Sequence, residues 1–241
     1  MISIVINTFN EKPQWLRQTI DSYLANDIQK QIIVSALPDD VNMDILESYD
    51  QIEICLCDPD KHPGHGINGI YYQLHEGIKR VRGEWFCYMS SNDFVKPDRL
   101  KTELNYCLEN KKLICYSDFH EVNETGTVTG SRRFFDYDYS KHIWKGNFVS
   151  DAALINTKLL IKYLPYRNEL LGNYSHWDLW LRIYEGEGNV FCHLPIPTWY
   201  YRLNPDSLHL KRRKDTTDQQ RGRAWYNLML DHNNRRNIKR P

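Results

Sequence analysis

Ile2-Ser3-Ile4-Val5-Ile6-Asn7, running on into Thr8-Phe9-Asn10, is the stretch from which the fold is read. Its β-branched apolar residues carry no charge, the pattern of a short strand buried on both faces. Pro13 then suits a helix start, and Trp15, Leu16, Ile20, Tyr23 and Leu24 recur at helical spacing as far as Asn26. Gln31 to Ser35 is a second strand-like run. Strand, helix, strand in that order predicts a parallel crossover unit.

The alternation continues outward. Met43 to Tyr49 reads as a short helix, Ile52 to Cys57 as a strand and Ile67 to Val81 as a helix. Glu84 to Met89 is a strand, Pro97 opens a helix to about Asn110, and Leu113 to Val122 is a strand again. Beyond this point the pattern loosens. Thr125 to Phe135 reads as a hairpin around Gly126 and Gly130, and Asp151 to Leu164 mixes strand and helix. Trp177 to Tyr184 reads as a helix stopped by Gly186. Val190 to Leu194 and Thr198 to Leu203 read as two strands separated by Pro195 and Pro197, and Thr217 to Leu230 as the last helix. The expectation is a single α/β domain with a mostly parallel, Rossmann-like sheet and helices on both faces. Ligands of such sheets bind beyond the C-terminal ends of the strands. The loops Thr8 to Glu11, Ala36 to Asp40 and Ser90 to Phe94 are therefore the first places to look for a site.

Composition agrees with a globular chain: 241 residues, 41% apolar and 26% charged. The formal net charge of zero argues against a surface built for nucleic acid. From Arg202 to the end, however, eleven Lys and Arg stand against four Asp and Glu. That basic end suits an anionic ligand or surface, or is a solvated tail. The six cysteines are scattered without zinc spacing, which reads as buried thiols in a reducing, cytoplasmic setting. No stretch approaches the ~20 apolar residues of a spanning helix, so a soluble chain is expected, free or peripheral to a membrane.

Five segments in order resemble family 2 glycosyltransferases, the A-type nucleotide-sugar enzymes. Ile2 to Asn10 resembles the family's first strand and loop, and Trp15-Leu-Arg-Gln-Thr-Ile-Asp-Ser-Tyr23 its first helix. Gly83-Glu-Trp-Phe-Cys-Tyr-Met-Ser-Ser-Asn-Asp93 is similar to the segment ending in the family's acidic motif. Trp177-Asp-Leu-Trp-Leu-Arg182 and Tyr201-Arg-Leu-Asn-Pro-Asp-Ser-Leu208 resemble its two C-terminal motifs. The resemblance implies an A-type domain over residues 1–210, with a nucleotide-binding half (1–110) and an acceptor half (111–210), followed by a basic helix or tail (211–241).

It also implies an activity: a metal-dependent, inverting transfer of a sugar from a nucleotide diphosphate, a UDP-sugar being favoured, to the hydroxyl of a glycan or other acceptor. Asp93 is then the carboxylate that holds Mn²⁺ or Mg²⁺ against the diphosphate, a hard cation offsetting the charge of the leaving group. Its plainer reading is a turn or helix-capping acid. Thr8, Phe9 and Asn10 lie in the first donor loop, Phe9 as a base-stacking platform or as an apolar plug at the end of the sheet. Ser91 and Asn92 lie in the second. The family's base-reading Asp is absent after the second strand or displaced to Asp39, and Ser35 stands in to read the base edge. His75 occupies the place of a donor-facing Asn, or is an ordinary helix-surface histidine. Arg202 and Lys211-Arg-Arg-Lys214 offer guanidinium and ammonium groups to the diphosphate, the basic run reading equally as a solvated tail.

The departures bear on mechanism. Ser90 and Asn92 replace acids of the metal motif, and Asn204 replaces a histidine for which His209, five residues on, is the substitute metal ligand. Ser175-His176 replaces the Glu-Asp pair whose Asp takes the acceptor's proton. His176 is preferred as the base, with Asp178 as the rival, although an acid there also suits a helix start. The alternatives are a binding protein of the same fold that has lost catalysis and, less favoured, a nucleotidyltransferase. Thr8 to Gln14 lacks the glycines that a nucleotidyltransferase carries after its first strand.

Overall fold

A computed structural model describes residues 1–64, 66–167, 174–204 and 228–232. The chain begins with strand β1 (Ile2–Asn7), helix α1 (Pro13–Leu24) and strand β2 (Lys30–Ala36). Helix α2 (Met43–Glu47), strand β3 (Ile52–Leu56), helix α3 (Ile67–Ile78) and strand β4 (Trp85–Ser90) complete the first half of the sheet. After a short strand β5 (Phe94–Val95) come helix α4 (Arg99–Glu109), strand β6 (Ile114–Val122) and strand β7 (Val128–Arg132). Helix α5 (Tyr139–Lys145), strand β8 (Leu154–Asn156), helix α6 (Thr157–Tyr163), helix α7 (Ser175–Glu187) and strand β9 (Phe191–Arg202) follow. Residues 228–232 are helical, while the rest of the expected last helix lies outside the described residues.

The strands form one sheet in the order β3-β2-β1-β4-β8-β6-β9-β5, with β7 beside β6. β1 is central to the first half, parallel to β2 on one side and β4 on the other. Its pleat sends Ile2, Ile4 and Ile6 into one core with Leu16, Ile20 and Tyr23 of α1 and Leu100 of α4. Val5 goes to the opposite core, with Tyr71, Leu74 and Ile78 of α3 and Trp177, Trp180 and Leu181 of α7. Alternate residues thus bury on opposite faces, and helices cover both. Each large apolar side chain buried in this way contributes about 1.5–3 kcal/mol. The second half is mixed: β8 runs antiparallel to β4 and β6, and β5 antiparallel to β9, whereas β6 and β9 are parallel.

Two local expectations are corrected. Gly186 does not stop a helix, because α7 runs to Glu187 and Gly188, with φ at +75°, ends it. Gly186 instead lets α7 pass Tyr163, whose hydroxyl lies where a Cβ would stand. Pro195 and Pro197 do not divide two strands either. β9 is one strand whose register against β6 jumps from Ser117↔Leu194 to Asp118↔Pro197, leaving Pro195 and Ile196 exposed on a bulge. A bulge is where a strand tolerates residues that cannot donate to the ladder. A hairpin does turn on Gly126, at φ +87°, but its first strand is β6: residues 125–135 supply only the turn and the second strand, β7, with Gly130 inside it.

Gly77 sets how closely α3 lies on the sheet. A Cβ there would stand 2.6 Å from both Val5 Cγ1 and Ser35 Oγ. Gly77→Ala is expected to lower unfolding free energy by about 1–3 kcal/mol through overpacking, read from urea unfolding. An unchanged midpoint would mean that α3 does not rest on β1 and β2 at this position.

Candidate functional site

The three loops picked out from the sequence meet at one edge. Asn7 pairs in register with Ser35 of β2 and with Ser90 of β4, and the Thr8 N–H donates to Ser35 O at 3.0 Å. Gln73 Nε2, reaching from α3, donates to Thr8 O at 2.9 Å. Asn10 takes a left-handed φ of +49°. Its N–H donates to Asp40 Oδ2 at 2.9 Å, and its Oδ1 accepts the Val41 N–H at 3.0 Å. Asn10 and Asp40 therefore fasten the first loop to the second, and the positive φ explains an Asn at this place. Phe9, partly exposed, stacks with His62 at 6.5 Å between ring centres. At the floor of this edge, Asn7 Oδ1, Thr8 Oγ1 and Ser35 Oγ are buried without a hydrogen-bond partner. Buried polar atoms left unpaired are costly unless something else satisfies them, so this edge has the character of a ligand site.

Asp93 lies beside it, buried and tied to the end of β9. Its Oδ1 accepts the Arg202 N–H at 2.8 Å, and Oδ2 has no hydrogen-bond partner among the described residues. Burial pushes the carboxyl up to about 7, against the lowering effect of the Arg202 N–H. The Thr19 hydroxyl of α1 holds the loop with its single proton, lying 2.8 Å from Ser91 O and 2.6 Å from Asp93 O. The Arg202 guanidinium donates to Asn92 O at 2.9 Å, Asn123 O at 3.1 Å, Glu124 O at 2.7 Å and the Gln18 side chain. Its donors thus hold protein carbonyls, and the Asp93 loop is what they position. His209 and Lys211 to Lys214 lie outside the described residues.

A second corner adjoins the first. His176, at the start of α7, is only 4% exposed, and its ring lies 5.4 Å from Tyr71, 5.9 Å from Tyr88 and 4.8 Å from Tyr166. Its Nδ1 is 2.9 Å from the Tyr71 hydroxyl, while Nε2 is buried without a partner. Burial keeps the imidazole below its ordinary pKa and therefore neutral, with the charge of Asp151 acting weakly the other way. His75 faces the same corner: its Nε2 accepts the Tyr166 N–H at 3.4 Å, and its ring packs 5.6 Å from Tyr166. Gln73, Asp40, His62, Tyr71 and Asp151 were not singled out in the sequence. Tyr71 stands four residues before His75 on α3, so helical spacing put it on the same face, whereas Gln73 lies off that face and nothing local marks Asp151.

Asp178 lies elsewhere, in a buried charge network. Arg167 Nε donates to Asp178 Oδ2 at 2.8 Å, a second Arg167 nitrogen to Oδ1, and Arg182 Nε to Oδ2 at 2.8 Å. His232 Nε2 is 3.0 Å from Asp178 Oδ1, and Asp231 accepts from Arg167 at 3.1 Å. Asp178, Asp231 and His232 bring potential metal-ligand atoms within 4.8 Å of one another. With guanidinium groups already on both carboxylates, the donor set is that of an ion-pair cluster rather than a cation site. Burial alone would raise the Asp178 carboxyl; Arg167, His232 and Arg182 outweigh it and hold it well below the usual range. All six cysteines are buried and free, and no helix among the described residues is long and apolar enough to cross a membrane.

Comparison with known proteins gives the same picture. The model of glycosyl transferase family 2 matches residues 3–164. An uncharacterised glycosyltransferase of Methanocaldococcus jannaschii is 20% identical over 192 residues, 76% of this chain and 64% of that protein. One of Rickettsia bellii is 29% identical over 178 residues, 71% of this chain but 22% of that protein. The chain thus spans less than two thirds of these relatives. Among solved structures, S. aureus TarS 1–349 in complex with UDP superimposes with a TM-score of 0.65 at 15% identity, covering 97% of this chain and 72% of that one. The same protein in complex with UDP-GlcNAc gives a TM-score of 0.66 at 13% identity, with the same coverage. At such identities the likeness shows the A-type fold.

The charge network has its own consequence. Asp178 has a folded pKa below its unfolded value of about 3.9, so its contribution is present above that pH and lost as pH falls through the folded value. His232 is the reverse. Burial lowers its pKa, but Asp178 and Glu185 raise it overall, so its contribution is present below about 6.5 and lost as pH rises through the folded value. Asp178→Asn should cost about 3–5 kcal/mol in urea unfolding near neutral pH, because it removes the buried negative charge shared by Arg167, Arg182 and His232 and leaves Arg167 only the more exposed Asp231. His232→Gln should flatten the fall in stability on the alkaline side. An Asp178→Asn protein as stable as its parent would release Asp178 from this structural role.

Proposed function

Because the chain belongs to glycosyl transferase family 2, we propose that it transfers a sugar from a nucleotide-diphosphate donor to an acceptor hydroxyl. The observation that carries this reading is the sheet edge itself. Asn7 Oδ1, Thr8 Oγ1 and Ser35 Oγ lie unpaired beside a buried carboxylate, at the C-terminal ends of three parallel strands. The nucleotide lies over this edge with its base against Phe9, where stacking tolerates any base and His62 extends the platform. A uridine diphosphate sugar is the favoured donor; that the related fold of TarS was solved with UDP and with UDP-GlcNAc supports this choice.

The diphosphate lies toward Ser91, Asn92 and Asp93. Asp93 suits Mn²⁺ or Mg²⁺ by its chemistry: Oδ2 is a hard oxygen with no hydrogen-bond partner among the described residues, and the Arg202 N–H fixes the other oxygen. A bound cation would supply charge to stabilise the departing diphosphate. Asp93 would be the one carboxylate of this loop to hold the cation, since Ser90 and Asn92 replace the others. Arg202 serves by holding Asn92 and Asp93 in place rather than by touching the donor.

The acceptor enters on the side of Tyr71, Tyr166 and His176, and transfer proceeds with inversion as its hydroxyl attacks in line. The proton leaves toward this corner. Of the two bases expected from the sequence, Asp178 is committed to Arg167 and Arg182, which leaves the corner of His176.

A thermal-shift panel of nucleoside diphosphates and nucleotide sugars, with and without manganese, tests the reading. The true donor at about one hundred times its Kd should add ~2.7 kcal/mol of stability. Asp93→Ala should abolish the manganese-dependent part while the apo protein stays folded. Nucleotide stabilisation unchanged in that variant would remove Asp93 from the metal site, and stabilisation without turnover would make the chain a binding protein of this fold.

A further inference from the structure

The acceptor corner holds a carboxylate that no sequence motif marks. Residues 150–153 form a tight turn just before β8, closed by the Ala153 N–H donating to Ser150 O at 3.2 Å. Arg99 secures this turn from below by donating to Ala152 O. Arg99 is itself buried, held by Glu103 Oε1 at 3.0 Å and the Tyr23 hydroxyl at 3.0 Å. The turn is therefore anchored to the interior of α4 and α1, and Asp151 stands at its tip. The Asp151 side chain is 55% exposed, with Oδ2 3.7 Å from His176 Nδ1.

Its charge is felt by Tyr71, Tyr88, Tyr166 and Tyr201, and two of these, Tyr88 and Tyr201, also feel Asp93. Asp93 is buried at the donor edge, whereas Asp151 is open to solvent at the acceptor corner. His176 occupies the expected place for a base, but it is 4% exposed, with Nδ1 engaged by Tyr71 and Nε2 enclosed without a partner. A base must come within hydrogen-bond reach of the proton that it takes. The enclosed imidazole does not offer that reach, and the carboxylate in front of it does.

We propose that Asp151 is the catalytic base of this chain, an assignment that rests on the transferase reading above. In the transfer step the acceptor O–H bond breaks and its proton passes to an Asp151 carboxylate oxygen. The acceptor oxygen forms the new bond to the anomeric carbon. The bond from that carbon to the phosphate oxygen breaks, its electron pair leaving with the nucleoside diphosphate. His176 and Tyr71 are positioning residues: their pairing forms the wall against which Asp151 is held, and a neutral imidazole there leaves the carboxylate's charge free to accept the proton.

Hydrolysis of UDP-glucose, UDP-GlcNAc and GDP-mannose with manganese, water serving as acceptor, tests the assignment alongside UDP-dependent thermal shift. Asp151→Asn should lower kcat by roughly 10²–10⁴-fold while leaving the donor KM and the shift with UDP and manganese unchanged. His176→Gln should lose far less. Full turnover in Asp151→Asn, with nucleotide binding intact in both proteins, overturns the assignment and leaves the transferase standing. A larger loss in His176→Gln than in Asp151→Asn overturns it in favour of the imidazole. An unsubstituted protein that neither binds nor hydrolyses any of these donors overturns the transferase reading itself, and binding without hydrolysis does the same.

Discussion

The Arg202 guanidinium is the interaction on which the site depends. It is 1% exposed and reaches the carbonyls of Asn92, Asn123 and Glu124 and the side chain of Gln18. One planar group thus joins the end of β9, the loop after β4, the turn between β6 and β7, and helix α1. Its ring contacts, 5.0 Å from Trp15 and 5.4 Å from Phe94, hold the fork flat between aromatic faces. A lysine could not span these acceptors, since a single ammonium replaces four directed N–H groups with a point charge. The Arg202 backbone then turns the same rigidity on Asp93.

A second buried network does comparable work in the other half. Arg99 and Glu103 pair within α4 at 3.0 Å, and Glu103 Oε1 also accepts from Ser117 of β6 at 3.0 Å and Thr198 of β9 at 2.6 Å. Charges this deep are tolerated only because each is paired and hydrogen-bonded. The network locks the β6–β9 ladder to α4, and through Ala152 it fixes the turn that presents Asp151. The Asp93 loop and the Asp151 turn are each held by one buried arginine, Arg202 and Arg99.

Much of the first half was legible because its signals are local. Ile2–Asn7 matches β1 residue for residue, and Lys30–Ala36 and Ile52–Leu56 lie within a residue of their expected bounds. In β1 and β2, burial on both faces leaves short, β-branched, nearly apolar runs, and their length with the turn residues around them marks them as strands. The second half depends on contacts distant in sequence. Pro195 and Pro197 read as breaks because a bulge, which only the partner strand reveals, has no sequence signature of its own. Gly186 read as a stop because its neighbour Tyr163 comes from α6. At the site, Asp93 and His176 were found through motif position, but motif position says nothing of burial. Asp178, the rival to His176 in the sequence, is committed to Arg167 and Arg182, partners that no local pattern reveals, and Asp151 is a lone acid before a strand, which looks like any turn residue.

The bulge in β9 separates two obligations of one strand. Before it, Phe191 to Leu194 belong to the core ladder with β6; after it, the strand pairs with both β6 and β5 and delivers Arg202 to the Asp93 loop. Pro195 and Ile196 make no ladder pair and face solvent. Residues added or lost at this point therefore leave both registers intact. Descendants of this chain can vary in length there without shifting the strand end that holds Asp93.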